Sequence, residues 1–156
     1  MRVIMQRAAR GAVTWSDDSG RRHGNQIGHG LVILVGAGPD DTEPQVDRLA
    51  DKVAQLRIFA DGAGRFNRSL EDVGGEALVV SQFTLYADTS RGRRPGFVRA
   101  GDPARAKALY ERFAARLGER GITVRSGSFG AHMTVSLDND GPVTIALSTD
   151  QWDTQI

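Results

Sequence analysis

One stretch decides the fold of this chain: Ala77-Leu78-Val79-Val80-Ser81-Gln82-Phe83-Thr84-Leu85. Its first four residues are continuously apolar, which is typical of a central strand buried on both faces. A second apolar run, at residues 31–35, indicates another strand of this kind. Because Ser81, Gln82 and Thr84 follow the first run, their hydroxyl and amide groups lie at the end of a central strand. Such groups either bind a neutral polar ligand or satisfy a turn.

The rest of the chain predicts more strands and two helices. One helix begins at Thr42 with a capping box and Pro44 in its first turn, and the other begins at Asp102-Pro103. Because helices and strands do not alternate one to one, the pattern predicts an α+β fold. Residues 17–30 are predicted as a Gly-rich hairpin tip. The further strand candidates are residues 3–6, 12–15, 122–125, 133–137 and 143–147.

Length and composition limit the possible classes of protein. The 156 residues suit one domain, predicted at residues 1–148 and followed by a polar tail at 149–156. The absence of Cys excludes disulfides and a thiolate metal site. No apolar run approaches the roughly 20 residues of a membrane helix, so we expect a cytoplasmic protein with no membrane partner.

Charge alone does not predict a nucleic-acid partner, because the formal net charge is only +1. The basic residues are unevenly distributed, however, and several arginines lie between residues 91 and 105 with few acids among them. This stretch is either a local basic patch or a solvated loop. Its arginines are Arg91, Arg93, Arg94, Arg99 and Arg105.

Conventional hydrolytic machinery is missing from the sequence. His23, His29 and His132 do not stand at metal-ligand spacing, and no Gly-x-Ser-x-Gly elbow is present. Only His132 could approach a site, because it precedes a predicted strand. We therefore expect no metal and no cofactor, and any hydrolysis must proceed without a conventional base.

A second polar segment reads Asn139-Asp140-Gly141-Pro142-Val143-Thr144. It predicts a turn between two strands. Cis peptide bonds occur mainly at X-Pro bonds in tight turns. A cis Gly141-Pro142 bond would point two carbonyls in the same direction, and together they could accept hydrogen bonds from an ammonium group. The alternative is a plain hairpin turn, and these residues alone do not decide between the two.

The two segments together, in this order, resemble the defining motifs of the D-aminoacyl-tRNA deacylase family. The resemblance covers essentially the whole chain and departs from the family in a longer tip at residues 16–24, in Gly96 where Ser is common, and in a longer tail. Other matching stretches are Gln6-Arg7, Ala12-Val13, residues 30–36, Arg57-Ile58-Phe59, residues 91–95 and residues 127–133.

The resemblance implies a barrel-like, mainly antiparallel or mixed sheet in a homodimer, with active sites at the interface. A cis Gly141-Pro142 bond would reach into the partner's site and select the chirality of the substrate. Asn139 belongs to the same motif, and Arg7 is expected to steady it across the interface. The implied reaction is hydrolysis of D-aminoacyl-tRNA, and of mischarged glycyl-tRNA, to free amino acid and tRNA, with rejection of L-aminoacyl-tRNA.

The residues implied as catalytic are Ser81, Gln82, Phe83 and Thr84. We expect backbone N–H groups near Phe83 and Thr84 to hold the oxyanion while the terminal ribose 2′-OH positions water, or Thr84 to act as a covalent nucleophile. The 3′-terminal aminoacyl-adenosine is the implied ligand. Residues suited to contact the tRNA are Arg91, Arg93, Arg94, Phe129 and Met133.

Three other functions remain open from the sequence. The basic residues 91–99 could serve a non-catalytic tRNA-binding module, whose binding would be sensitive to salt. The same loop would permit a role on DNA. A metal-dependent hydrolase of another ester is disfavoured because a ligand set is missing.

Overall fold

The computed structural model describes residues 1–152 of the chain. Over these residues the fold consists of eight strands, two helices and one 3-10 helix. In chain order they are β1 (Arg2–Ser16), β2 (Arg22–Ile27), β3 (Gly30–Gly36), α1 (Glu43–Gln55), β4 (Phe59–Ala60), β5 (Phe66–Arg68), β6 (Glu76–Ser81), the 3-10 helix (Phe83–Tyr86), α2 (Pro103–Glu119), β7 (Thr123–Ser126) and β8 (Met133–Ser148).

The long strand β1 organises the main sheet. Its first half pairs antiparallel with β3, its second half with β2, and β8 runs antiparallel along both halves. Strands β3, β6 and β7 are parallel. Two hydrogen bonds link β2 and the residue after it to the β6–β7 edge. Asn25 Nδ2 donates to the Ser126 carbonyl at 2.7 Å, and the Gly28 N–H donates to the Glu76 carboxylate at 2.6 Å. The predicted α+β fold with a mixed, barrel-like sheet is therefore confirmed.

The two faces of the sheet are covered to different degrees. On one face, Met5, Ile33 and Val79 are fully buried against the helices, with Phe113 of α2 in the same cluster. On the other face, a smaller cluster of Ala8, Val13, Ile27, Val32, Leu78 and Val80 is bordered by apolar residues that stay partly exposed. These border residues are Trp15, Leu34, Met133, Val135 and Leu137. The described part of the chain thus does not cover the second face completely.

Both helices begin where their capping residues predict. The N–H of Thr42 donates to Gln45 Oε1 at 2.9 Å, which forms one half of the capping box. The Asp102 carboxylate accepts from the N–H groups of Ala104 and Arg105 at 3.0 and 3.2 Å. These short-range contacts satisfy N–H groups that the first helical turn leaves without partners.

The strands differ from the sequence prediction in their continuity. Residues 3–6 and 12–15 belong to one strand, β1, and residues 22–27 of the predicted hairpin tip form β2. The predicted turn at Asn139–Pro142 is wrong, because these residues lie inside β8. Gln6 pairs with Thr144 and Ala8 pairs with Asn139. The chain therefore advances five residues along β8 over the same stretch in which it advances two along β1. The extra residues form a bulge larger than the usual single-residue kind, which long-range pairing with β1 imposes on a turn-like sequence.

The start of the predicted tail is tied to the first strand. The Thr149 N–H donates to the Met1 carbonyl at 2.9 Å, and Arg2 forms an ion pair with Asp150 at 3.0 Å. The Trp152 ring lies 5.2 Å from the Arg2 guanidinium carbon. The remainder of the tail, residues 153–156, falls outside the described residues. Within the described range, no helix has the length and apolarity needed to cross a membrane, and no group of three or more metal-ligating side chains is found.

Gly30 gives a stability prediction, because it lies where β3 begins to pair with β6. A Cβ at Gly30 would overlap the Glu76 carbonyl oxygen and lie 2.7 Å from the Glu76 nitrogen, and both atoms are backbone. We expect Gly30→Ala to lower the free energy of unfolding by about 3 kcal/mol, as the parallel pair is forced apart. Gly62→Ala is the control, since a Cβ there meets nothing within 4 Å. Urea denaturation of both variants measures the difference, and equal midpoints would contradict the prediction.

Candidate active site

The segment that follows β6 changes from strand to 3-10 helix at one end of the sheet. Parallel pairing ends at Val35 opposite Ser81, and the Gln82 N–H then donates to the Val35 carbonyl at 2.8 Å. Gly36 permits this turn, because a Cβ there would lie 2.7 Å from the Gln82 carbonyl oxygen. The polar residues at the end of the central strand are thereby held next to the sheet, as the sequence predicted.

Two backbone donors stand at the start of the 3-10 helix. The first N–H groups of any helix have no acceptor within it, and here the helix begins at Phe83. The next groups are satisfied, since Leu85 donates to the Gln82 carbonyl and Ala87 to the Thr84 carbonyl. Over residues 1–152, the N–H groups of Phe83 and Thr84 meet no acceptor. They form a pair of adjacent donors of the kind that binds a developing negative charge.

The side chains of this segment are arranged around the two donors. Gln82 Nε2 donates to Thr84 Oγ1, so the Thr84 hydroxyl faces an amide donor rather than a base. The Phe83 side chain is 58% exposed and packs edge-on against Phe97, with ring centroids 5.0 Å apart. An exposed aromatic side chain beside free N–H groups gives this end of the sheet both an apolar and a polar binding surface.

A cleft of about 240 Å³ opens beside Ser81, Gln82 and Phe83. Its opposite wall comes from the segment before β8 and from the start of that strand. It consists of Phe129, Gly130, Ala131, His132, Met133 and Val135, with Val80 completing the lining. Phe129 and Met133, predicted from the sequence as substrate contacts, are therefore brought together with the predicted catalytic segment.

Buried contacts position the aromatic wall of this cleft. The Phe129 ring lies 5.9 Å from the Tyr110 ring of α2, and the Tyr110 hydroxyl donates to the Val79 carbonyl at 2.8 Å. A Cβ at Gly127 would lie 2.5 Å from the Met133 sulfur, so this glycine permits the close approach of Met133. Tyr110 was not predicted as a site residue, because it belongs to the apolar stripe of a helix.

The basic residues predicted as tRNA contacts lie on an adjoining loop. Asp88 and Gly96 exchange two backbone hydrogen bonds that close the loop, and Arg91, Arg93 and Arg94 are exposed on it. Hydrogen bonds from the Ser90 hydroxyl and N–H, with the charges of Arg99 and Arg91, hold the pKa of Asp88 below its usual value. Because Phe97 follows the loop and packs against Phe83, the basic surface lies next to the cleft.

The second motif is an exposed bulge with an internal scaffold. The Gly141-Pro142 peptide bond is cis, and both residues are exposed. Asn139 Oδ1 accepts from the Val143 N–H at 2.8 Å, and Asn139 Nδ2 donates to Thr144 Oγ1 at 3.1 Å. Asn139 thus holds the two ends of the bulge together.

Arg7 supports the bulge from the neighbouring strand. Its side chain is nearly buried, and it donates to the Ile58 carbonyl at 2.6 Å and to the Asp140 carbonyl at 3.0 Å. The Asp140 carboxylate lies 3.2 Å from Arg7 Nε, and the Phe66 ring lies 5.4 Å from the guanidinium carbon. These contacts lie within one chain because β8 pairs directly beside β1, and the role of Arg7 across an interface stays a prediction.

The two motifs do not meet within one chain. Val135, which lines the cleft, pairs with Val13, whereas the bulge lies opposite Arg7, six residues along β1. Six residues along a strand span about 20 Å. The exposed bulge and the cleft are therefore roughly 20 Å apart along the sheet.

Comparison with known proteins points to one family. The family described as D-Tyr-tRNA(Tyr) deacylase matches residues 4–148. A D-aminoacyl-tRNA deacylase of Roseiflexus castenholzii is 58% identical over 149 residues, which cover 96% of this chain and 92% of that protein. One of Lacticaseibacillus casei is 49% identical over 153 residues, which cover 96% and 99%.

Solved structures share the fold over nearly the whole chain. A c-Myc DNA unwinding element binding protein superposes with a TM-score of 0.85 at 34% identity, covering 96% of this chain and 99% of that one. A probable eukaryotic D-amino acid tRNA deacylase superposes with a TM-score of 0.81 at 19% identity, covering 94% and 97%. At that lower identity, the second similarity concerns the fold alone.

Proposed function

The chain belongs to the D-Tyr-tRNA(Tyr) deacylase family and is a hydrolase, and from that membership we propose that it cleaves the ester of D-aminoacyl-tRNA to free D-amino acid and tRNA in the cytoplasm. One observation carries the chemistry: the N–H groups of Phe83 and Thr84, which meet no acceptor among residues 1–152, stand side by side next to the cleft. Binding alone would not need two such donors. The non-catalytic tRNA-binding module is therefore the weaker alternative.

The reaction needs little more than these donors. An ester between an amino acid and a ribose is already activated, and each 1.36 kcal/mol removed from the barrier gives about tenfold in rate. The Phe83 and Thr84 N–H groups hold the oxyanion that forms on the carbonyl, and one such donor typically contributes about 10²–10³ in kcat. The 2′-OH of the terminal ribose positions the attacking water. The amide beside Thr84 favours this route over attack by the Thr84 hydroxyl, because an amide N–H takes up no proton.

The 3′ end of the tRNA fits the two adjoining surfaces. The terminal adenine packs between Phe129 and Met133, where apolar side chains line the cleft. Phosphates farther along the acceptor end contact Arg91, Arg93 and Arg94, which are exposed on the neighbouring loop. Binding through this loop weakens as salt rises, because counterions are released from the RNA.

A second copy of the chain completes the site. The sheet face opposite the helices is apolar and only partly covered, and the partner copy covers it around Leu34 and Leu137 and leaves the Trp15 end of β1 open. The Gly141–Pro142 bulge is exposed roughly 20 Å from its own cleft. In a two-fold dimer, the bulge of each copy reaches the cleft of the other. Arg7 and Asn139 keep the bulge in shape within its own chain.

Chirality follows from which group fills each direction around the α-carbon. The Gly141 and Pro142 carbonyls accept from the α-ammonium, while the N–H pair holds the ester carbonyl. The remaining two directions point toward the rigid bulge, which admits only hydrogen, and toward solvent. D-residues and glycine fit, whereas an L side chain clashes, and rejection by a rigid surface is strong.

The direct test follows ester loss from matched D-tyrosyl-tRNA and L-tyrosyl-tRNA with a chelator present, and from glycyl-tRNA as a third substrate. We expect rapid loss of the D-ester and the glycyl ester, and no loss of the L-ester above the uncatalysed rate. Loss of both tyrosyl esters would support the esterase activity and contradict the proposed chiral selection. If all three esters stayed intact while tRNA still bound, the chain would be a binding module.

A further inference from the structure

The hairpin between β1 and β2 carries an aromatic stack that the proposed reaction does not use. Trp15 pairs with His23 across the two strands, and their rings lie 5.8 Å apart with an angle of 18° between their planes. The His23 side chain is 37% exposed, and Trp15 is partly buried. Parallel aromatic planes that remain partly open to solvent offer a surface on which another planar ring can stack.

The turn at the end of the hairpin holds the His23 ring in place. Asp17 Oδ2 lies 2.7 Å from His23 Nε2, while Asp17 Oδ1 accepts from the N–H groups of Ser19 and Arg21 at 3.0 Å each. The hydrogen bonds from Ser19 and His23 are the main causes that lower the pKa of Asp17. Gly20, with φ of 80°, permits the tight turn. The stack is therefore organised before any ligand arrives.

Strand register places this stack beside the cleft. On its other side, Trp15 pairs with Met133, which lines the cleft and borders the same apolar cluster. Directly opposed residues in antiparallel strands point to the same face. Met133, Trp15 and His23 therefore follow one another across three strands, and His23 lies about 10 Å from Met133 at the usual strand spacing. The stack extends the aromatic wall of the cleft away from Phe129.

Charge at this turn does not favour phosphate binding. Arg21 and Arg22 are exposed, but Asp17 and Asp18 balance them formally. The basic loop around Arg93 is different, because three exposed arginines lie there within four residues. Any contact at the stack is therefore expected to depend on aromatic surface rather than on charge.

We propose that the Trp15–His23 stack binds a base of the single-stranded 3′ end of tRNA, next to the terminal adenosine in the cleft. This inference rests on the proposed function for the position of that adenosine. Stacking on aromatic side chains is the usual way in which proteins hold unpaired bases, and it tolerates any base. Trp15 and His23 are thus positioning residues, which hold the strand so that the ester reaches the N–H pair.

The kinetic test compares two substrates in two variants. Trp15→Leu keeps apolar contact with Met133 but removes the ring, and His23→Ala removes the outer ring. For D-tyrosyl-tRNA we expect each variant to raise KM at least about fivefold with kcat within about twofold. For D-tyrosyl-adenosine, which lacks the preceding nucleotides, neither constant changes. Arg48→Ala is the matched surface control, because Arg48 is exposed on α1.

Equal losses on both substrates would overturn the proposal, because the residues would then only shape the cleft. Unchanged KM for D-tyrosyl-tRNA would overturn it as well. Raising salt from 50 to 200 mM should leave the KM ratio of variant to wild type nearly unchanged, since the stack binds no phosphate.

A binding measurement tests the stack even if the ester is not cleaved. The chain has two tryptophans, so Trp152→Phe leaves Trp15 as the single reporter. We expect the trinucleotide cytidylyl-cytidylyl-adenosine to quench Trp15 fluorescence, and His23→Ala to weaken this binding several-fold. Quenching in a chain that cleaves no D-ester would contradict the proposed function but support base binding at the stack. Absence of quenching at saturating trinucleotide would contradict the stack alone.

Discussion

Phe83→Pro is expected to lower kcat for D-tyrosyl-tRNA by about 10²–10³-fold relative to Phe83→Ala. Both variants lose the aromatic side chain, but only proline removes the N–H that we assign to the oxyanion. Proline is tolerated at the first position of a helix, where the N–H has no helical acceptor, and Phe83 occupies that position. Single-turnover rates of the two variants measure the contribution of one backbone donor.

The unfolding midpoint of each variant is the control for this comparison. Equal midpoints with a large difference in rate would locate the effect at the N–H. Rates within threefold of each other would contradict the assignment of the Phe83 N–H to the oxyanion. Thr84→Val then separates the two mechanisms, because a covalent nucleophile would lose essentially all activity without its hydroxyl.

Gly141→Ala is expected to lower the rate for the D-ester by about 10²-fold or more, because displacing a positioning group by about 1 Å has that effect. Gly141 has φ of 137°, a conformation that residues with a Cβ rarely adopt. Its Cβ would lie 2.7 Å from Val143 Cγ2 and 3.0 Å from the Val143 nitrogen, so the bulge and its carbonyls must move. Gly121→Ala is the matched control, since Gly121 also has a positive φ, with nothing within 4 Å of the added Cβ.

Co-expression of the Phe83→Pro and Gly141→Ala chains tests whether the site is shared between subunits. In a shared site, a mixed dimer has one cleft with an intact N–H pair facing an intact bulge. Random pairing then restores about a quarter of the wild-type sites, because half of the dimers are mixed and each has one intact site. No recovery in purified mixed dimers would show that both motifs act within one chain.

The sequence alone predicted the features that depend on neighbouring residues. Thr42 and Asp102 locate the helix starts through short-range hydrogen bonds, because the Thr42 N–H donates to Gln45 Oε1 and the Asp102 carboxylate accepts from the Ala104 N–H. The apolar runs at residues 31–35 and 77–80 locate the central strands because burial on both faces requires continuous apolar side chains. The polar residues after Val80 also lie where the sequence placed them, at the end of a central strand.

The second motif shows where sequence reasoning fails. The residues around Gly141 have the composition of a hairpin turn, yet they form a bulge inside β8. The pairing partner decides this, because β1 continues past the bulge and keeps β8 in register on both sides. No local pattern contains that information, since the paired residues are more than 130 positions apart.

What the sequence determined by itself was therefore local: helix starts, buried strands, and the chemical type of the groups near the site. Only the tertiary structure decided which groups meet. Strand register brought Phe129 and Met133 to Ser81, placed Arg7 under the bulge, and aligned Trp15 with both His23 and Met133. Register is set by the summed burial and hydrogen bonding of whole strands, so it becomes visible only when the strands are assembled.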